Sequence, residues 1–377
     1  MVRLPMKIDR VTLTHARIPL VEPFRISNGE IAEKDGIIVA VAGDGLTGVG
    51  ESSPMAGNFY SGDTPESCWR ELTELLIPRA LARREWNSLE EACAWIDAEP
   101  GVSNFAKVGF ETALWDLEAQ RRGMPLWQLL GGVKGEVESG LAVGLYDSRD
   151  ALWATIDREL AAGAYKRVKV KIAPGHDVEL VREVRRRYPS TPLMTDANAA
   201  YGIADAPIFE QLDEFGLLMF EQPLAGAAFE DSAALQRRVR TPVCFDESLE
   251  HPDDVPRAAG LGACKIANIK IQRVGGLANA LKVYRLAEKA GMGIWVGTMP
   301  ELGVGCAAGA ALASLASINF PTDVEASARW FRDDLIEPWI EVKNGMIELP
   351  TTPGLGYAVN EKKLQRYQVA QREFKAA

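Results

Sequence analysis

The chain has 377 residues, 47% hydrophobic and 25% charged, with a net charge of −10 from 42 basic and 52 acidic side chains. This length suits two or three domains of about 100–200 residues, and acidity without a basic stripe argues against nucleic acid and anionic membrane as partners. Charge or Gly interrupts every long apolar run, which excludes a spanning helix, and the five scattered cysteines (Cys68, Cys93, Cys244, Cys264, Cys306) lack the spacing of a zinc site or disulfide framework.

From Lys7, "KIDRVTLTHARIPL" alternates like a strand and lacks the apolar block and cleavage site of a signal peptide. A cytoplasmic protein is expected. His15, His176 and His251 have no neighbour at metal-ligand spacing and read as surface or loop residues. Residues 7–52 read as antiparallel strands, with Gly43-Asp44-Gly45 turning a hairpin between apolar runs. Residues 24–36 and 52–65 are rich in Gly, Ser and Asn, show no clear period and read as loops. Helices follow. Thr64-Pro65-Glu66 gives an N-cap and then Pro at the first helical position. Phe110, Leu114 and Leu117 share one face of a helix ending near Gly123. Strands and then helices predict an α+β domain over residues 1–130.

From about residue 137 short apolar strands alternate with helical stretches: "VESGLAVGLY", "RVKVKI", "PLMTDAN", "LLMFEQP", "PVCFDES", "KIANIKI" and "GIWVG". Repeated βα is the pattern of a parallel sheet. Lys171, Asp196, Glu221, Asp246 and Lys270 follow one another at 25, 25, 25 and 24 residues, each at or near the end of a strand. Charged residues are among those least often buried, so five in phase are hard to attribute to solvation. In a (β/α)8 barrel those strand ends form one mouth, where active sites are built. Adjacent strands lie about 4.8 Å apart, so carboxylates from three neighbours can converge on one cation. Asp196, Glu221 and Asp246 offer only hard oxygen ligands, which suits Mg2+, with Mn2+ as a substitute.

Alternation also sends Lys169 and Lys171 to one face, into the mouth. A neighbouring ammonium or divalent cation disfavours a charged lysine, so one of the pair is expected to have its pKa lowered toward that of a working base. Lys169, kept protonated, is expected to bind a substrate carboxylate. Such a site suits removal of a proton α to a carboxylate, with the metal stabilising the enediolate.

At these residues the chain resembles the enolase superfamily, a group that pairs Lys bases with Mg2+. Closer still is the muconate-lactonizing subgroup, through "KVK" 169–171, "TDAN" 195–198, "FEQPL" 220–224, "FDES" 245–248 and "NIKIQRVGG" 268–276. Within it, "FYSGDTPESCW", "ALWDLEAQRRGMPLWQLLGG", "GTMPELGVG" and "FPTDVEASARWFRDDLI" resemble the o-succinylbenzoate synthase and N-succinylamino acid racemase family. The resemblance implies a modified (β/α)7β TIM barrel over 131–330. An α+β capping domain over 1–130 is rejoined by the segment 331–377, and the two loops form a lid. It implies Lys171 and Lys270 as acid/base lysines and Asp196, Glu221 and Asp246 as metal ligands. Lys169, Asn198, Gly297, Met299 and Glu301 become substrate contacts, and Glu247 a supporting residue.

The family's usual polar residues are replaced by Ala142, Leu302 and Cys306, near where a succinyl group or leaving hydroxyl would be held. The paired aspartates of dipeptide epimerases are absent from "TDVEAS" 322–327. Dehydration to o-succinylbenzoate is the first expectation and N-succinylamino acid racemisation the second. Muconate cycloisomerase or dipeptide epimerase activity comes next, and then a non-catalytic carboxylate-binding barrel. A small-molecule carboxylate substrate and a homo-oligomer are expected.

Overall fold

The computed structural model describes residues 5–57 and 60–376. Strands Arg10–Ile26, Gly29–Gly43 and Leu46–Ser52 form an antiparallel meander, and Gln368–Lys375 pairs with the free side of Arg10–Ile26. The anticipated turn falls at Asp44-Gly45, both with positive φ (53° and 77°), as a two-residue hairpin turn requires. Helix Asn104–Arg121 covers one face of this sheet through Gly109, Ala113 and Leu117, and Phe110, Leu114 and Leu117 are all buried. The fit is close enough to need glycine: a Cβ on Gly50 would stand 2.2 Å from the Gly109 carbonyl oxygen. Helix Pro65–Glu71 starts as its sequence suggests, with Thr64 and Ser67 bonding reciprocally in a capping box.

One expected loop is regular structure. Residues 24–36 belong to two long strands, with Phe24 opposite Ile31 and Ile26 opposite Gly29 across the turn Ser27-Asn28. The register slips between Pro19 and Phe24, and that irregularity hides the alternation. His15 is likewise no surface residue: it is buried, with Nε2 2.6 Å from Asp35 Oδ1.

The second layer is a parallel sheet of seven strands in chain order. They are Leu141–Val143, Val168–Lys171, Leu193–Asp196, Phe220–Glu221, Val243–Phe245, Ile266–Ile269 and Gly293–Val296, counted here as the first to seventh barrel strands. An irregular eighth stave closes the ring. The Asp323 N–H donates to the Val296 carbonyl of the seventh strand, while Thr322 N–H donates to Glu138 O and Gly140 N–H to Thr322 O beside the first. Met194, Met219, Cys244, Ile266 and Trp295 plug the interior with apolar side chains. Lys171, Asp196 and Glu221 lie at the C-terminal strand ends, above that plug.

The two layers are fastened by buried carboxylates of the capping domain, each capping the N-terminus of a barrel helix. Glu111 accepts the N–H groups of Leu277 and Ala278, both at 2.9 Å, at the start of helix Leu277–Lys289. Glu51 accepts those of Leu302 and Gly305, both at 2.8 Å, at the start of helix Gly303–Ala313. Negative charge at a helix N-terminus satisfies both the orphan donors and the dipole.

Among the described residues no helix is long and apolar enough to cross a membrane. All five cysteines are buried and free.

Candidate active site

Strand pairing sets the site. Lys171 lies opposite Asp196, and Asp196 opposite Glu221. Glu221 lies opposite Cys244, so Asp246 projects two residues higher on the same inward face. Lys270 follows directly after the sixth strand. All five side chains are buried: period-two alternation turns them inward, as the in-phase spacing requires.

Ion pairs interleave them. Lys171 Nζ donates to Asp196 Oδ2 at 2.5 Å and to Asn198 Oδ1 at 2.7 Å. Lys169 Nζ donates to Asp323 and stands 3.1 Å from Glu221 Oε2 and 3.6 Å from Asp196 Oδ2. Lys270 Nζ lies 2.8 Å from Asp246 Oδ2, and Arg273 Nη2 3.1 Å from Asp246 Oδ1. Tyr60 receives hydrogen bonds from both Lys270, at 2.9 Å, and Arg273. Asn198 also reaches Glu247, its Nδ2 donating to Oε1 at 3.0 Å.

Lys169 keeps the proton expected of it. Burial works to lower Lys169, but Asp323, Glu221 and Asp196 outweigh it and hold it above the ordinary range. Lys270 is likewise raised, because Asp246 overcomes its burial. Adjacent carboxylates, rather than the neighbouring ammonium, dominate both. The carboxylates themselves are unequal. Burial, reinforced by Asp196, pushes Glu221 up to about 8. Against the same burial, Arg273 and Lys270 hold Asp246 well below the usual carboxylate range.

Lys169, Lys171, Asn198, Lys270 and Met299 line one cleft of about 30 Å³. That is room for little more than a water, so a substrate enters only when part of the cover yields. The capping hairpin supplies Phe24 and Ile26, and the segment after Ser52 supplies Met55 and Tyr60; Asn58 and Phe59 of that expected loop lie outside the described residues. Gly297 and Glu301 do not line the cleft. A Cβ on Gly297 would stand 2.4 Å from Asn268 Oδ1, so its glycine serves packing. Glu301 is buried near Glu51 and Lys34 and is pushed up to about 8 by burial and then by Glu51. Of the three departures, Ala142 lines the cleft. Leu302 and Cys306 are buried behind it, Cys306 Sγ donating to the Glu301 carbonyl at 3.4 Å.

Sequence reading missed Tyr60, Arg273, Asp323 and Glu325. The last two alternate as Lys169 and Lys171 do and both line the cleft, a signal available in "TDVEAS". A larger cavity, about 330 Å³, lies between helices Leu89–Ala98 and Leu277–Lys289. Of its lining carboxylates, Glu111 is already occupied in capping, and Asp97 stands 3.9 Å from Lys282 at a half-exposed rim.

Among the described residues no three His, Cys, Asp or Glu side chains are gathered closely enough to cage an ion unaided; Lys169 stands between Asp196 and Glu221. Yet Glu221 Oε2 and Asp246 Oδ2 are buried and accept no well-aligned hydrogen bond. Among the described residues both face only the ammonium groups of Lys169 and Lys270, at 3.1 and 2.8 Å, and buried carboxylate oxygens held by positive charge alone are what a hard cation coordinates. The donor set fits a divalent ion.

Residues 8–131 match the mandelate racemase/muconate lactonizing enzyme N-terminal domain, and residues 152–363 the enolase C-terminal domain-like family. The chain belongs to the mandelate racemase/muconate lactonizing enzyme family of the enolase superfamily. It is 43% identical over 367 residues to an o-succinylbenzoate synthase of Geobacillus kaustophilus, covering 97% of this chain and 96% of that one. It is 36% identical over 374 residues to an N-succinylamino acid racemase of Thermus thermophilus, covering 99% and 100%. A solved enolase superfamily member from Listeria innocua superposes with a TM-score of 0.92 at 33% identity, covering 99% of this chain and all of that one. Mandelate racemase/muconate lactonizing membership implies use of a divalent metal ion, typically Mg2+, and the fold is the TIM barrel with a capping domain.

Proposed function

We propose that this chain removes a proton α to the carboxylate of a small-molecule substrate, with Lys171 and Lys270 as the acid/base pair. One observation carries the reading: both lysines line a single cleft, from the second and sixth of eight staves, with Asp196 paired to Lys171, Asp246 to Lys270, and Glu221 buried beside Lys169. Staves four places apart in a ring of eight face each other across the mouth, so the two ammonium groups flank whatever binds between them. Asp196, Glu221 and Asp246 would hold Mg2+, or Mn2+ in its stead. When bound, the cation lowers the energetic penalty of placing enediolate charge in the cleft.

Lys169, locked by Asp323, stays protonated and presents a fixed positive charge to the substrate carboxylate. Lys171 is oriented by Asn198, which Glu247 in turn supports. Phe24, Ile26 and Met55 exclude water, which strengthens each of these charge interactions.

Dehydration to o-succinylbenzoate is the leading activity, supported by the 43% identity over nearly the whole chain. N-Succinylamino acid racemisation is the second, favoured by two lysines that reach one cleft from opposite sides. Dipeptide epimerisation is disfavoured, because Asp323 is already paired with both Arg167 and Lys169. Domains at 1–130, 131–330 and 331–377, a cytoplasmic setting and a homo-oligomeric assembly go with this reading.

The test is direct. With Mg2+ supplied, the purified protein should both form o-succinylbenzoate and exchange the α-proton of N-succinylamino acids in D2O. Neither reaction, with substrate still bound, would leave a non-catalytic carboxylate binder.

A further inference from the structure

Arg167 precedes Lys169 by two residues and Lys171 by four, so alternation turns all three cations of "RVKVK" to the inward side of the second barrel strand. Arg167 is 1% exposed, and its guanidinium carbon lies 5.0 Å from the ring centre of the plug residue Trp295. Lys169 Nζ stands 5.1 Å from the same ring centre. Gly140, just before the first strand, makes the room: a Cβ there would stand 2.6 Å from the Arg167 guanidinium carbon. A charge buried this deeply needs a counter-charge. Asp323 supplies it, accepting from Arg167 through Oδ1 and from Lys169 through Oδ2. Arg167 also reaches the Leu141 and Pro321 carbonyls, at 3.4 and 3.3 Å. Against its burial, Lys169 and Arg167 hold Asp323 below the usual carboxylate range.

A tie between staves would need one cation and one carboxylate. Here two cations share one carboxylate, and the charge balance shows what the second does. Lys169 with Asp323 alone would be a neutral pair, a weak attractor for an anion. With Arg167 on the other oxygen, two cations and one carboxylate leave one positive charge. That excess faces the ligand, because Lys169 lines the cleft and Arg167 does not. Glu221 and Asp196 also lie near Lys169 Nζ, at 3.1 and 3.6 Å, but both belong to the proposed cation site. Asp323 is the carboxylate that would otherwise cancel Lys169.

We propose that Arg167 is a positioning residue for substrate capture: by engaging one oxygen of Asp323, it leaves Lys169 with uncancelled charge for the substrate carboxylate. The assignment rests on the proposed function, in which Lys169 meets that carboxylate, and adds a buried residue that acts without touching substrate.

The test measures o-succinylbenzoate binding by titration calorimetry, with Mg2+ supplied, and KM and kcat for α-deuterium exchange of N-succinylphenylalanine in D2O. Arg167→Met keeps an unbranched apolar chain over Trp295 and removes the charge. It should weaken o-succinylbenzoate binding and raise KM about tenfold or more, with a smaller change in kcat. Adding Asp323→Asn to Arg167→Met removes the carboxylate that would then cancel Lys169, and should recover most of the lost affinity. A purely structural role predicts no such recovery. The double variant replaces a buried ion pair by neutral groups, so it also decides the matter if Arg167→Met does not fold: its affinity should lie near that of the unaltered protein. Undiminished affinity in Arg167→Met, or a double variant that binds as weakly as the single one or far more weakly than the unaltered protein, would overturn the assignment. Arg167 would then be a tie between the eighth stave and the first two strands. Absence of both binding and exchange in the unaltered protein is a different result, which would sink the proposed function and this inference with it.

Discussion

Asn28, in the turn of the capping hairpin, donates its Nδ2–H to the backbone carbonyl of Asn198 at 3.3 Å. The neighbouring Ser27 hydroxyl reaches the Ala197 carbonyl at 3.4 Å, and Arg25 grips Asp147 through two bonds of 2.6 and 3.1 Å. A few partly exposed bonds thus hold the hairpin over a cleft too small for substrate. Each neutral bond contributes about 1 kcal/mol. Asn28→Ala should therefore raise KM about 3–10-fold with a smaller change in kcat, and shift relative kcat/KM among acyl groups. Steady-state kinetics on a panel of acids checks this. Changes confined to thermal stability would show that the turn is not the lid.

Glu221 Oε2 and Asp246 Oδ2 lack well-aligned donors, and the metal assignment depends on them. Glu221→Gln and Asp246→Asn should each lower kcat/KM by about 10³ or more, since the cation supplies several kcal/mol of charge stabilisation. Far-UV circular dichroism should stay unchanged. Chelation should abolish activity and added Mg2+ restore it. Full turnover in chelated buffer would contradict the assignment.

Glu111 satisfies Leu277 N–H, Ala278 N–H and, at 2.8 Å, the indole N–H of Trp115. Glu111→Ala leaves those three donors without their carboxylate and should destabilise the protein by about 2–4 kcal/mol. Urea unfolding measures this. Activity below the unfolding midpoint should change little, because Glu111 lies outside the cleft.

Glu301 gives a pH signature. Its pKa in the folded chain is raised from 4.5 to about 8, so the native state holds a proton that the unfolded state has released. Stability should therefore fall as pH rises from about 4.5 to about 8, by at most about 1.4 kcal/mol per pH unit from this group. Glu301→Gln cannot ionise and should flatten the slope. An unchanged slope in that variant would assign the pH dependence elsewhere, with buried Glu51 the first candidate.

Much of this architecture is legible in the chain because two simple periods carry it. The 25-residue spacing of Lys171, Asp196, Glu221 and Asp246 reports one βα unit per charge, and alternation within each strand turns those charges inward. Other features escape for physical reasons. Pairing from Phe24 to Ile31 runs beyond a register slip, so the local pattern looks aperiodic although Asn28-Gly29 is a turn signal. His15 carries no mark of the Asp35 opposite it in the fold, 20 residues away in sequence. Tyr60 reaches Lys270 across 210 residues, a contact that only assembly of cap on barrel creates. Glu301 matches the family pattern in position, yet its chemistry is that of the buried Glu51 and Lys34 beside it.

The central claim is that Lys171 and Lys270 stand on opposite sides of the substrate's α-carbon. Stereospecific α-deuterium exchange tests it most directly, with Lys171→Ala and Lys270→Ala each incubated with the separate enantiomers of an N-succinylamino acid in D2O. Each variant should lose racemisation and still exchange one enantiomer, and the two variants should select opposite enantiomers. Exchange of the same enantiomer by both variants would contradict the account, because the lysines could not then flank the α-carbon.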